Sequence, residues 1–426
     1  MSEGQLSPNG DAADGATAVR DLGLALLRLP ETANGSQRQL IAATARCLCT
    51  ALQTAESAGA GAGVPLALRL VRVVDDLLVQ CRSRDLATEA SLTSLVAQIE
   101  QFDVTADRQK RFGFVWNSPL EGLGNTFKLT DIKQELGMAW MLRAAAKRQE
   151  AVVAVDERPR AVVGPARHER DDERLVVVGG SVLDTPPPGT TKPGPTGPAS
   201  PGFVLGEGAP AIATRLRAAA GLYKHCAETV LPPLHDALPG ERPNELLASM
   251  AETMRLVCLA EAQAATARRA EERGAANGLL VKLHLGAHDL YARADKCLND
   301  HVSDFNRISR KLQACILLGV CTHRARAYRC AAEDAFAAGD VGEAVALCDA
   351  ADAHLRRCGA AAGESARWRL AMDEETEALA SARGVYAKEN EVVYFQKVPE
   401  KPAWRVAEGK VIVAEIAHRA REGTNA

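Results

Sequence analysis

Aromatic residues are scarce in this chain, making up 4% of its 426 residues. Single-stranded nucleic acid is gripped by stacking its bases on interleaved aromatics, so nucleic acid is not an expected partner. Net charge is small as well, −3 with histidine neutral, and leaves no global field to draw in a polyanion or to repel a membrane surface. Long apolar runs are missing: the longest span about five or six residues, against the roughly 18 to 20 needed to cross a bilayer. Residue 2 is Ser rather than Gly, and Gly423-Thr-Asn-Ala426 holds no cysteine, so neither myristoylation nor prenylation is expected. No secretory leader pattern is present.

What the chain does hold is alanine-rich, 47% hydrophobic and 25% charged, a composition suited to a mostly helical protein packed through small side chains. Its eleven cysteines are odd in number and scattered without paired spacing, and read as reduced, buried small hydrophobes of a cytoplasmic protein. The length would allow two or three ordinary domains, yet helical repeats often run this long around one core.

Residues 1–17 are too polar to offset the entropy of ordering and are expected to be disordered. Helical periodicities follow over 21–29, 37–54 and from about 65 to 81. Alternation in Phe112-Gly-Phe-Val-Trp116, then turn residues, then Phe127-Lys-Leu129 predicts a small β-hairpin near 112–129. Thr130 is the expected cap of a helix over 131–153. From 156 to 208 a charge run leads into a proline- and glycine-rich tract that cannot bury a core, so an insertion looping out of the domain is expected. Its 185–201 part is a weak candidate for an SH3- or WW-type partner. Helices resume at 211–230, at about 244–272 with Asn244 as cap, at 279 onward, and over 306–338, 341–358 and 364–388. Residues 391–395 are expected to be extended, and 419–426 to form a disordered tail. The Ala-rich pair joined at Gly339-Asp340 resembles one tetratricopeptide-type hairpin.

Catalytic signatures are not found. No Walker loop, dinucleotide fingerprint, His-Glu-x-x-His or nucleophile elbow occurs. Gly122-Leu-Gly124 reads as a turn, because Phe127 stands where a third fingerprint glycine belongs. His225-Cys226 begins like a phosphatase loop, but Pro232 replaces the closing arginine. His284 and His288 share a helical face at metal-ligand spacing, with no third ligand marked, so no metal and no cofactor is expected. Arg307, Arg310, Lys311, Arg324, Arg326 and Arg329 concentrate positive charge in one helical pattern. The usual meaning is a solvated face; the alternative is a basic convex surface for acidic lipid or an acidic partner, which makes the chain a peripheral membrane-binding helical scaffold.

The organising stretch runs from Met250 to Tyr291. Leu247, Met250, Met254 and Val257 recur at steps of three and four, Gly274, Asn277 and Gly278 interrupt, and Leu279, Leu283, Ala287 and Leu290 begin a second apolar series. Within it, Leu259-Ala-Glu-Ala-Gln263, Lys282-Leu283 and Asp289-Leu-Tyr291 resemble the core of the Bro-one domain of endosomal sorting proteins, and the plant and algal single-domain members in particular. Phe112-Gly-Phe-Val-Trp116, the helix carrying Glu135, and Lys388-Glu-Asn-Glu-Val-Val-Tyr-Phe-Gln-Lys-Val-Pro399 supply further anchors in the family's order. The resemblance implies a boomerang-shaped, mainly α domain over 18–418 with a tetratricopeptide-like core. It implies no catalysis, and a concave groove that takes the amphipathic C-terminal helix of an ESCRT-III subunit, transiently at endosomal membranes. The family's groove positions fall on Thr266, Leu279 and Leu283; Thr266 departs from the family's aromatic.

Deleting 156–208 is expected to leave the melting temperature within about 8 °C of the full chain, since the insertion contributes no core. A larger fall measured by circular dichroism places Leu175-Val-Val-Val178 inside the fold.

Overall fold

In a computed structural model, residues 96–97, 114–118, 120–121, 126–129, 131–156 and 208–418 are described. The stretch 1–17, the helices expected over 21–81, the Gly122–Gly124 turn, the insertion between its end residues and the tail 419–426 lie outside them.

Bulky residues that alternate across a pleat form two short strands. β1 (Phe114–Asn117) pairs antiparallel with β2 (Thr126–Leu129), Phe114 opposite Leu129 and Trp116 opposite Phe127. Helix α1 (Ile132–Asp156) then begins on Asp131, whose Oδ1 accepts the Lys133 N–H at 2.8 Å. The cap is thus Asp131; the expected Thr130 lies outside the described residues.

Six further long helices follow: α2 (Ala209–His225), α3 (Ala248–Glu272), α4 (Asn277–Asp300), α5 (Arg310–Ala337), α6 (Val341–Arg357) and α7 (Ala366–Glu389). Each packs chiefly on its neighbours in sequence, as in a helical repeat. Alanine is what lets them approach: Ala144, Ala220, Ala260, Ala294, Ala327 and Ala344, one from each of α1 to α6, are fully buried. The eight described cysteines are free, and all but Cys297 are buried.

Three boundaries differ from expectation. Asn244 does not cap α3; it opens a single turn before it, and its side-chain amide donates to the Arg307 carbonyl at 2.5 Å. Helix α5 begins at Arg310 rather than Asn306, which leaves Arg307 outside it. Residues 390–394 form a wide helical turn instead of an extended segment. The Asn390 carbonyl accepts the Phe395 N–H, its amide donates to the Gln396 carbonyl, and Phe395 takes a left-handed φ of 52°.

Beyond Phe395 the chain runs as an irregular strap back across the helices. Gln396 accepts the Gly342 N–H of α6 at 2.8 Å, the Lys410 N–H donates to the Lys282 carbonyl of α4 at 2.8 Å, and the Ile416 N–H donates to the Arg217 carbonyl of α2 at 3.0 Å. Backbone lies directly on backbone. A Cβ at Gly286 would meet the Lys410 carbonyl, and one at Gly221 the Ile416 carbonyl, so only glycine permits these crossings.

Helices α1 and α3 are joined by a two-point ion pair in which Arg148 Nε and Nη2 donate to the two carboxylate oxygens of Glu261, the Nε contact measuring 2.8 Å. Both side chains are almost wholly buried. Burial pushes the Glu261 carboxyl up and Arg148 opposes it; arginine cannot give up its proton, so a neutral Glu261 would strand a buried cation. Arg148→Met is therefore expected to cost about 3–5 kcal/mol by abandoning the Glu261 charge, and Arg148→Met with Glu261→Leu to regain most of it. Denaturant unfolding of the three proteins measures both steps.

Candidate functional site

Helix α3 stops because Gly274 adopts φ 68°, where the Ala275 N–H reaches back to the Ala270 carbonyl at 3.0 Å and reverses the chain. The last turns of α3, with Thr266, and the first turn of α4, with Leu279, thus come to one end of a helical hairpin. Leu279 is 43% exposed there. Thr266 is half-buried, and its hydroxyl donates to the Ala262 carbonyl at 2.8 Å, so its hydrogen atom is already used within the helix.

Leu283, one turn further along α4, is 2% exposed. The strap crosses α4 at this turn. Gln263 Nε2 donates both to the Leu283 carbonyl at 3.1 Å and to the strap's Lys410 carbonyl at 2.9 Å, and Gln263 Oε1 accepts the Ile412 N–H at 3.1 Å. The structure therefore divides the expected pair: Leu279 is open, and Leu283 is buried and drops out as an exposed groove residue. In its place the strap presents Val411 and Ile412, 42% and 50% exposed. Sequence reading missed them, although the apolar run Val411-Ile-Val413 was visible, because it follows the last helix and carries no periodicity.

The basic cluster divides in the same way. Arg307 and Arg310 are exposed and Lys311 is half-buried. Arg324 is half-buried, with its guanidinium 5.8 Å from the Tyr328 ring centre. Arg326 and Arg329 are buried and belong to no surface. Arg326 donates to Glu375 of α7 at 2.9 and 3.2 Å, while Arg329 lies 3.4 Å from Glu333, 3.7 Å from Glu375 and 3.9 Å from Glu271. Burial alone would raise the Glu271 carboxyl, but a hydrogen bond from His284 and the charges of Arg326 and Arg329 hold it well below the usual carboxylate range.

The two histidines of α4 do not converge. His284 Nε2 lies 2.9 Å from Glu271 Oε1 and its Nδ1 lies 3.1 Å from His323 Nδ1, whereas His288 Nδ1 donates to the Val320 carbonyl at 2.9 Å. Cys226 is buried, and burial pushes its thiol up to about 12, the reverse of what a nucleophile needs. Among the described residues no helix is long and apolar enough to cross a membrane.

Placement fixes how substitutions at the two leucines differ. Leu283→Asp puts a charge into a closed site and is expected to cost several kcal/mol, seen as a collapsed thermal transition. Leu279→Asp leaves its charge hydrated, and the melting temperature should stay within about 4 °C.

Comparisons with known proteins accord with this geometry. The family model of the BRO1-like domain matches residues 206–424, just over half of the chain. BRO1 domain-containing protein BROX of Homo sapiens is 33% identical over 130 residues, 30% of this chain and 30% of that one. The Mus musculus BROX is 28% identical over 195 residues, covering 43% of this chain and 46% of that protein. The matched region thus spans less than half the length of either relative. Among solved structures, the ALIX BRO1 CHMP4C complex superposes with a TM-score of 0.54 at 16% identity, over 90% of this chain and 94% of that one. ALIX in complex with the SIVmac239 PYKEVTEDL Late Domain gives 0.56 at 17% identity, over 90% of this chain and 48% of that one. These two identities speak for the fold alone, a mainly helical one. With a family model over most of the helical array, and the Leu259–Gln263 wording accounted for by its contacts, the chain belongs to the BRO1-like domain family.

Proposed function

We propose that this chain is a non-catalytic adaptor of the endosomal sorting pathway that captures an amphipathic C-terminal helix of an ESCRT-III subunit. The observation that carries the reading is Leu279, a large apolar side chain left 43% exposed at the end of the α3–α4 hairpin. Val411 and Ile412 follow on the strap that crosses α4 one turn away. An apolar strip of this kind suits a helix that offers anchors at every third or fourth residue. Family membership supports the reading, and so does the ALIX BRO1 neighbour, which is a complex with CHMP4C. The reading takes residues 18–418 as one domain that acts in the cytoplasm and reaches endosomal membranes only transiently.

Thr266 offers no aromatic contact, so capture is expected to be weak, and Thr266→Phe to strengthen it. The membrane-scaffold alternative loses ground: with Arg326 and Arg329 inside, Arg307, Arg310, Lys311 and Arg324 remain, at about 1 kcal/mol each against an acidic leaflet. That is too little for stable attachment without a second signal.

Calorimetry of the full chain with synthetic C-terminal helices of ESCRT-III subunits tests the proposal. Binding tighter than about 1 mM to at least one helix is expected, weakened at least tenfold by Leu279→Asp. Failure of every helix at that concentration, or capture untouched by Leu279→Asp, overturns it. Liposome flotation in parallel distinguishes a salt-sensitive lipid surface from a helix site.

A further inference from the structure

One buried cluster is used neither by the helix surface nor by any expectation from sequence. A carboxylate oxygen of Glu271, a ring nitrogen of His284 and the Cys330 sulfur all lie within 4.8 Å of one another. They come from α3, α4 and α5, three consecutive helices of the packed array, so backbone places them rather than loops. His284 and Cys330 are buried, and Glu271, with its side chain 12% exposed, is the least enclosed of the three.

We propose that Glu271, His284 and Cys330 bind one divalent transition-metal ion of the zinc class. Sulfur, imidazole and carboxylate together match zinc or cobalt, whereas magnesium and calcium prefer oxygen alone. A second observation concerns the far side of the imidazole. His284 Nδ1 lies 3.1 Å from His323 Nδ1, the kind of partner that fixes the ring and tautomer of a metal-ligating histidine and turns Nε2 toward Glu271. His323 is itself fully enclosed, so its contact with His284 is shut off from solvent.

Binding forms metal–sulfur, metal–nitrogen and metal–oxygen bonds and breaks the Cys330 S–H bond, whose proton passes to solvent. A hydrogen on His284 Nε2 likewise passes to solvent as the metal–nitrogen bond forms, and the ring keeps the one on Nδ1 that faces His323. Nothing is oxidised or reduced. Arg326 is held by Glu375, and Arg329 by Glu333 and Glu375, while Arg268 at 3.2 Å and Arg329 at 3.9 Å also face Glu271, so the ion competes with them for that carboxylate. The fourth position is left to water, since His323 stands on the opposite side of the His284 ring.

The test uses the full chain, stripped with chelator and titrated with cobalt(II), then with zinc(II). One equivalent of cobalt should produce a thiolate-to-cobalt charge-transfer band in the near ultraviolet, which zinc abolishes. Cys330→Ala should remove the band, Cys321→Ala on the same helix should keep it, and Glu271→Gln should weaken binding at least about tenfold. No band from a wild-type protein that melts cooperatively overturns the proposal, as does a band that survives Cys330→Ala. If Cys330→Ala does not fold, Glu271→Gln decides: unchanged cobalt affinity there rejects the site.

Discussion

One primary amide, that of Gln263, holds together two consecutive helices and a strap that follows 147 residues later. Its nitrogen donates to the carbonyls of Leu283 and Lys410, and its oxygen accepts the Ile412 N–H. Two donors and an acceptor on one planar group are what this junction requires, and Gln263 is wholly enclosed, so each of those bonds replaces one to water. A glutamate would lose both donors, and an apolar residue would leave two carbonyls and an N–H without partners in a closed site. Two positions earlier on α3, Glu261 makes the buried pair with Arg148 of α1. The wording Leu259-Ala-Glu-Ala-Gln263 is therefore a device for assembly: Glu261 fastens α3 backward to α1, and Gln263 fastens it forward to α4 and the strap.

Small residues do for the surfaces what Gln263 does for the bonds. An irregular segment can lie along a helix only where side chains leave room, and Gly221 on α2 and Gly286 on α4 stand where the strap's carbonyls pass. The strap in turn brings Glu415 to Lys224 and Arg255, at 2.7 and 3.3 Å, a partly exposed set that fixes its final turn while adding little stability.

How much of this the sequence made legible follows from what periodicity reports. A 3.6-residue repeat marks a helix and the side of it that is buried, so α3 to α7 stand close to their expected ranges. It does not say what does the burying. Leu283 and Leu279 have the same period and chemistry, yet one is buried and the other open. Arg326 reads as surface charge because its neutralising partner, Glu375, lies on α7, more than forty residues away, and Arg329 shares that carboxylate beside Glu333 of its own helix. His284 and His288 shared a predicted face, but that face is wide enough for one to meet Glu271 of α3 and the other the backbone of α5. Most of these misses are contacts between separate elements, on which local pattern carries no information; the turn at 390–394, closed by Asn390 on its own neighbours, is a local one.

The division of the two leucines changes what a partner meets. A groove floored by helices alone would be rigid. Here the crossing strap supplies Val411 and Ile412 through a single chain with no regular structure of its own, tied down by Gln263, by the Lys282 carbonyl and, one helix over, by Arg217. On the proposed reading, recognition of a partner helix is linked to attachment of the strap: whatever loosens Gln263 displaces Val411 and Ile412, two of the three exposed apolar side chains. Affinity for a helix therefore depends on where the strap lies as much as on the character of Leu279, and the residue that governs it, Gln263, need not touch the partner at all.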